Sequence, residues 1–317
     1  MLSDILIGID GGGSKTTALI ADLDGNILGR GMSGPSNYLV IGAEAAYAAL
    51  DAAVEAAAGG QPVQPAALCL GMAGAARPAD QAVLRAWTDA HYPDVPITIT
   101  HDARLALAAG TPEGWGIAVL CGTGSMVYGE DAQGQVARAD GWGYLLGDDG
   151  SGYAIGQAAL RAVARAADGR GPQTSLTEAI LTQWSLAQPQ DLIGHVYKSA
   201  QRTDIAALAA LVQAVALQGD AVAGAILQAA GRELAVSVEA VARRLALTGA
   251  IPCALTGSVI LKGQSVRAAF VAATVERGLT LSPLTPVHEP AQGAIRLARA
   301  LVETTCQVNA CTKRQTQ

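Results

Sequence analysis

Phenylalanine occurs once in this chain of 317 residues, and all aromatics together make up 4%. A core with so few large rings closes on small side chains, and the abundance of alanine predicts close helix packing. Charge is also scarce. Asp, Glu, Lys and Arg make up 15%, with a net −6. That balance excludes the basic stripe by which a protein grips nucleic acid or an acidic membrane surface. No uninterrupted apolar run approaches the ~18 residues of a membrane span. Met1-Leu2-Ser3-Asp4 carries no basic segment, so no secretory signal peptide is expected. The five cysteines, Cys69, Cys121, Cys253, Cys306 and Cys311, form no C-x-x-C pair. That argues against zinc or an iron–sulfur cluster and for reduced thiols in a cytoplasmic protein. No G-x-x-x-x-G-K-[ST] string occurs either, so there is no Walker loop.

What is present is a glycine turn that occurs twice. The first copy is Ile9-Asp10-Gly11-Gly12-Gly13-Ser14-Lys15-Thr16, and the second is Leu120-Cys121-Gly122-Thr123-Gly124-Ser125. The two lie about 110 residues apart, too long for a solenoid period. A second tight turn follows each, Asp24-Gly25-Asn26-Ile27 and Gln133-Gly134-Gln135-Val136. This reads as a duplicated two-domain protein with a phosphate-grasping hairpin in each half. Glycine lets backbone N–H groups converge and lets an anion approach closely. Ordinary β-hairpins also use glycine turns, but two matched loops favour a nucleotide. A Rossmann turn is excluded because Thr16–Ala21 continues as a strand, where that fold needs a helix.

The pattern along the chain predicts strands over 5–10, 16–22, 27–32, 66–71 and 97–100, with helices over 43–58, 79–91 and 104–109. The second half restarts with strands 116–121, 125–129 and 135–139. It then turns helical over 152–167, 174–184, 189–197, 203–217 and 220–246. A strand 252–256 and helices 263–277 and 291–304 close it, and the tail 306–317 reads as frayed.

Several residues stand out, each with a plainer alternative. Asp10 ends an apolar strand and either holds Mg²⁺ against nucleotide phosphates or caps the turn. Gly11, Gly12, Gly13, Ser14, Lys15 and Thr16 form the first phosphate loop, where Lys15 is a phosphate ligand or a solvated charge. Gly122, Thr123, Gly124 and Ser125 form the second, where amides should matter more than hydroxyls. Asp102 follows a strand and precedes a helix, as an N-cap or as a general base. His101 beside it reads as structural. The stretch Asp140–Gly152 is too glycine-rich for helix or strand. Asp148 and Asp149 either cap the helix after it or, as glycine-lined carboxylates, suit bidentate capture of a ligand's hydroxyls. Trp142 packs on a sugar or on the core. Asn37 is a turn residue, and Gly71-Met72-Ala73-Gly74 lines a cleft with backbone. Gly257 and Ser258 end a strand with side chains small enough for a flat adenine, or form a plain strand–helix turn.

These segments resemble the actin-like ATPase superfamily of hexokinases, acetate kinases and Hsp70. Within it the chain is similar to the N-acetylglucosamine kinase branch grouped with the BadF/BadG/BcrA/BcrD ATPases. Asp10–Thr16, Thr100-His101-Asp102, Cys121–Ser125, Gly141–Ser151 and Thr256–Val259 carry the likeness, which covers nearly the whole chain. The resemblance implies an α/β fold of two ribonuclease H-like (actin-like ATPase) domains, each starting β-β-β-α, with an interdomain cleft. Domains are expected at 1–115 and 116–290, with a closing helix at 291–305 packing back on the first domain and a tail at 306–317. It implies an ATP- and Mg²⁺-dependent kinase of a small amino sugar, first N-acetylglucosamine at its 6-hydroxyl. Asp102 would be the base, and Asn37, Thr123, Trp142 and Asp148 would contact the sugar. Gly257 and Ser258 would contact adenosine and Asp10 the metal. A homodimer, with no nucleic-acid or membrane partner, is expected.

Glucosamine is the close rival substrate and glucose the third. A BadF-type activator ATPase would need cysteines for a shared iron–sulfur cluster, and their spacing gives no such hint. A non-catalytic sugar-binding protein fits poorly with Asp10 and Asp102. The zinc cysteines of the ROK kinases are absent.

Overall fold

The structure, a computed structural model, describes residues 2–73, 75 and 78–315, with backbone alone for 78, 79 and 305–315. The chain forms two compact units, Met1–Gly114 with Glu289–Gln317, and Trp115–His288. Each contains a five-stranded mixed sheet of the same topology.

The first unit opens with β1 (Leu2–Gly11), β2 (Thr16–Asp22) and β3 (Ile27–Ser33). α1 (Tyr38–Ile41), α2 (Ala43–Ala58), β4 (Val63–Met72), α3 (Pro78–His91), β5 (Ile97–Thr100) and α4 (Asp102–Gly110) follow. The sheet order is β3-β2-β1-β4-β5. The first three strands pair antiparallel and the last two join in parallel. Strand alternation sorts the side chains onto two faces. Ile5, Ile7 and Ile9 enter the core beneath α2 and α3, whereas Leu6, Leu19 and Ala21 enter the opposite one. On α2, Leu50, Ala53, Val54 and Ala57 recur at helical spacing and bury one face. β4 begins three residues earlier than the sequence pattern predicts, because Pro65 is absorbed where the register with β1 shifts.

The second unit repeats the plan with β6 (Gly116–Cys121), β7 (Ser125–Glu130) and β8 (Val136–Asp140). Its helices are α5 (Gly152–Ala167), α6 (Leu176–Gln183), α7 (Asp191–Lys198), α8 (Arg202–Leu217) and α9 (Ala221–Arg244). β9 (Ala250–Thr256), α10 (Ser258–Lys262), α11 (Gln264–Glu276) and β10 (Thr280–Pro286) complete it. The order β10-β9-β6-β7-β8 matches the first sheet. Pattern reading misses β10, because Pro283 and Pro286 argue against a strand. An edge position tolerates them, and the register with β9 shifts between Leu281 and Leu284. The helix expected over 263–277 is α11, and a short helix that pattern reading misses, α10, precedes it, separated at Gly263. The single phenylalanine, Phe270, is fully buried among alanine, valine and leucine side chains. By length and composition alone, α9 is the one helix among the described residues apolar enough to cross a membrane. Arg232, Glu233 and Glu239 interrupt it, and Leu227, Leu234, Val238 and Val241 pack into the unit's core.

The closing helix α12 (Ala291–Gln315) belongs to the first unit, where Ala291, Ala294, Ile295 and Ala298 bury against Leu6, Cys69 and Leu105. Its backbone stays helical beyond residue 304 as far as Gln315, within the segment read as a frayed tail. No glycine or proline falls there to break it.

Candidate active site

In the first unit, parallel pairing aligns Asp10 of β1 with Gly71 of β4, and Gly71 with Thr100 of β5. The carboxyl ends of these strands therefore share one edge, where α/β sheets place their ligands. Asp102 lies two residues beyond Thr100 as the first residue of α4. The N-cap position belongs to His101, which makes no side-chain cap bond, so Asp102 is not the cap that the sequence allowed. Its Oδ1 accepts the N–H of Ala103 at 2.9 Å. Burial raises its pKa above the usual carboxylate range. Burial and the Asp102 charge push Asp10 up to about 7, with Lys15 opposing. The two carboxylates and the ammonium thus share one field.

Gly13, Ser14 and Lys15 are exposed at the tip of the first turn, which Gly12 closes by donating its N–H to Lys15 O at 3.0 Å. Gly11 is buried. Thr16 departs from its assigned role. It is fully buried, and its hydroxyl bonds Gly34 O at 2.8 Å and the Ser36 hydroxyl at 2.7 Å. It anchors the 34–37 connection and has no hydroxyl left for a phosphate. Ser36 and Asn37 both donate backbone N–H groups to Gly12 O. Asn37 caps α1 through Leu39 N–H at 3.2 Å, so its carbonyl is engaged and its amide nitrogen is the group left for a ligand. Met72 and Ala73 stand at the same strand end, and Gly74 lies outside the described residues.

The second turn is built differently. Gly122 donates its N–H to Gly124 O at 2.9 Å. The first turn of α5 seats on the loop, with Gly152 and Tyr153 donating to Gly122 O and Thr123 O. Thr123 is exposed. Ser125 also departs from its assignment, since its hydroxyl donates to Asp140 Oδ2 at 2.9 Å and its amide faces Asp148. Ser151 caps α5 by accepting from Ala154, so neither Asp148 nor the exposed Asp149 is the cap. Asp148 is 4% exposed. Burial and the Asp140 charge raise its pKa, and Arg202 opposes them. Trp142 is not in the core. It is 68% exposed, with the Arg138 guanidinium 5.5 Å from its ring centre.

Gly257 has φ +100°, and a Cβ there would overlap the Cys121 carbonyl, so only glycine serves. This brings the start of α10 against the second turn. Beside it, Ser258, Val259, Lys262, Ala206, Ala210 and Gln213 line a cavity of 390 Å³. Its size and largely apolar wall suit a flat heterocycle. The α8 wall escaped sequence reading. Its one signal was alanine at helical spacing, which core packing explains equally well. A larger cavity of 700 Å³ involves none of the residues singled out. Its acidic group, Asp220, is committed to Thr174, Ser175 and the cap of α9.

Among the described residues no three His, Cys, Asp or Glu side chains cluster as metal ligands. Asp10 still fits a hydrated divalent cation, because a carboxylate pressed toward protonation by burial and by a second carboxylate gains from one. Cys69, Cys121 and Cys253 are buried strand residues.

The N-acetylmuramic acid/N-acetylglucosamine kinase of Clostridium acetobutylicum is 38% identical over 246 residues, 76% of this chain and 80% of its own. The N-acetyl-D-glucosamine kinase of Dictyostelium discoideum is 35% identical over 261 residues, 78% and 82% respectively. A Chromobacterium violaceum structure provisionally named an N-acetylglucosamine kinase superposes with a TM-score of 0.72 at 29% identity, over 94% of this chain and 99% of that one. The sequence pattern of one family matches residues 7–298, and the chain belongs to it, the BadF/BadG/BcrA/BcrD ATPase family.

Proposed function

We propose that the protein is an ATP-dependent kinase of an amino sugar, with N-acetylglucosamine the first candidate and its 6-hydroxyl the acceptor. The observation that carries this is the meeting of Asp10 and Asp102 at one sheet edge beside the glycine turn. The names of the two curated relatives support the substrate class. Glucosamine remains the rival.

Asp102 acts as general base. Burial raises the Asp102 pKa, and a carboxylate with a raised pKa is a stronger proton acceptor than one in water. As the sugar oxygen bonds to the γ-phosphorus of ATP, the bond from that phosphorus to the β,γ-bridging oxygen breaks. ADP leaves, and the hydroxyl proton passes to Asp102. Amides of the two glycine turns and Lys15 orient phosphate oxygens. The cavity beside Ser258 takes the adenine. In the first unit the Asn37 amide is the group offered to sugar hydroxyls, and in the second unit it is the Asp148 carboxylate. Mg²⁺ held at Asp10 would offset phosphate charge as the phosphoryl group transfers.

The test is ADP release with ATP and Mg²⁺, run separately with N-acetylglucosamine, N-acetylmuramate, glucosamine, glucose and no sugar. Stimulation at least tenfold over the sugar-free rate by one amino sugar is expected. Equal hydrolysis in every tube, or none, would overturn the reading.

A further inference from the structure

Asp148 is a buried carboxylate beside a second one. Asp140 accepts the Asp148 N–H at 2.7 Å, and its charge presses on Asp148. Burial and that charge raise the Asp148 pKa toward the protonated form, which is the poorer acceptor for two sugar hydroxyls. One cation faces it. Arg202, the first residue of α8, places Nη2 at 3.2 Å from Asp148 Oδ2, reaching 54 positions along the chain.

The pair is lodged on the second turn. A methyl group on Gly124 would sit 2.7 Å from Asp148 Oδ2 and 3.0 Å from Arg202 Nη2. The guanidinium also lies 5.2 Å from the ring centre of Tyr144, which belongs to the same 140–151 loop as Asp148. Arg202 is therefore fixed from two sides. Its side chain is 43% exposed while that of Asp148 is 6% exposed, so the buried partner depends on the exposed one.

We propose that Arg202 is a positioning residue for the acceptor sugar, holding the Asp148 carboxylate on the second turn as the acceptor of the sugar's hydroxyls. This rests on the kinase reading above. It goes beyond it by assigning part of sugar affinity to a side chain that touches neither nucleotide nor reacting atoms. An ordinary exposed ion pair contributes little. This one differs because removing Arg202 strands a buried carboxylate against another. The charged groups facing Asp148 are Asp140 from the end of β8 and Arg202 from α8, with the Gly143 and Ser125 amides completing its surroundings.

The test compares wild type, Arg202→Gln and Arg202→Lys. KM is measured for N-acetylglucosamine and for ATP, with kcat, and kcat/KM for the sugar is followed between pH 5 and 9. Losing one hydrogen bond to a charged group should cost Arg202→Gln about tenfold to a hundredfold in kcat/KM for the sugar. The loss should lie in sugar KM, with ATP KM unmoved. The acid limb should move to higher pH, because Asp148 without Arg202 holds its proton longer. Arg202→Lys, which keeps the charge, should restore the limb and most of the affinity. A structural staple alone would raise both KM values together or lower only the melting temperature, with the limb in place, and that result overturns the inference. So does wild-type behaviour of Arg202→Gln. A melting shift on adding a non-hydrolysable ATP analogue shows that each variant is folded. Wild type without sugar stimulation overturns the kinase reading and this inference with it. An active wild type with a normal Arg202→Gln overturns this inference alone.

Discussion

The two glycine turns occupy the same place in two sheets of the same topology, yet their chemistry has diverged. The first carries Asp10 one residue before the end of β1, a partly buried carboxylate in the field of Asp102 and Lys15. The second ends β6 in Cys121, whose thiol is fully buried and donates to Gly150 O at 3.2 Å. Carbonyls of the second turn are capped by the start of α5, and its serine serves Asp140. The first turn keeps Ser14 and Lys15 exposed at its tip. Duplication therefore supplied one backbone cradle twice, while charge was placed in only one copy. A metal and a base need carboxylates. A loop that only donates amides functions better packed and neutral.

The comparison is broken most sharply at Asp102. Asp102→Asn should lower sugar-dependent ADP formation by about 10²–10⁴-fold, the usual range for a general base, while ATP-analogue binding persists. Steady-state kinetics and a binding titration check both halves. Cys121→Asp would make the second turn imitate the first. The new carboxylate would be buried near Asp140 without a cation, and should cost roughly 3 kcal/mol or more in urea unfolding. An unchanged midpoint would show that the two turns are interchangeable.

Asp10→Asn should stabilise the fold at neutral pH while abolishing the metal-dependent reaction. An aspartate titrates near 3.8 when unfolded but near 7 at this site. Between those values the folded chain binds the proton more tightly, so wild-type stability falls as pH rises. Asparagine escapes that loss. The advantage of the variant should be absent near pH 4, grow to pH 7 and then stay level, at a few kcal/mol. Thermal melts across pH measure it. The smallest effect is expected for Ser125→Ala, which removes one hydrogen bond to Asp140 and should cost about 1 kcal/mol. Its activity should stay near wild type, because that hydroxyl does not point at a phosphate.

Much of the fold was legible because its signals are local. Alternating Ile5–Ile9, the repeated glycine turns and the alanine-rich helix over 43–58 each declare their own geometry. β10 was not legible. Its prolines oppose a strand everywhere except at an edge, and position in a sheet is not a local property. The site shows the same division. Asp10, Asp102 and the turns were found at strand ends. Arg202 was not, because nothing in residues 199–205 indicates a carboxylate far back in the chain. Thr16 and Ser125 looked like phosphate ligands by their place in the loops, and only the partners Ser36 and Asp140 revealed where their hydroxyls point.

By itself the sequence determined two cradles, the carboxylate in one and the thiol in the other, because strand period and glycine turns act over a few residues. The tertiary structure alone decided which hydroxyls are committed, which carboxylate presses on Asp10 and which on Asp148, and which arginine faces Asp148. Burial and charge act through space, and the residues they couple are brought together only when strands and helices pack.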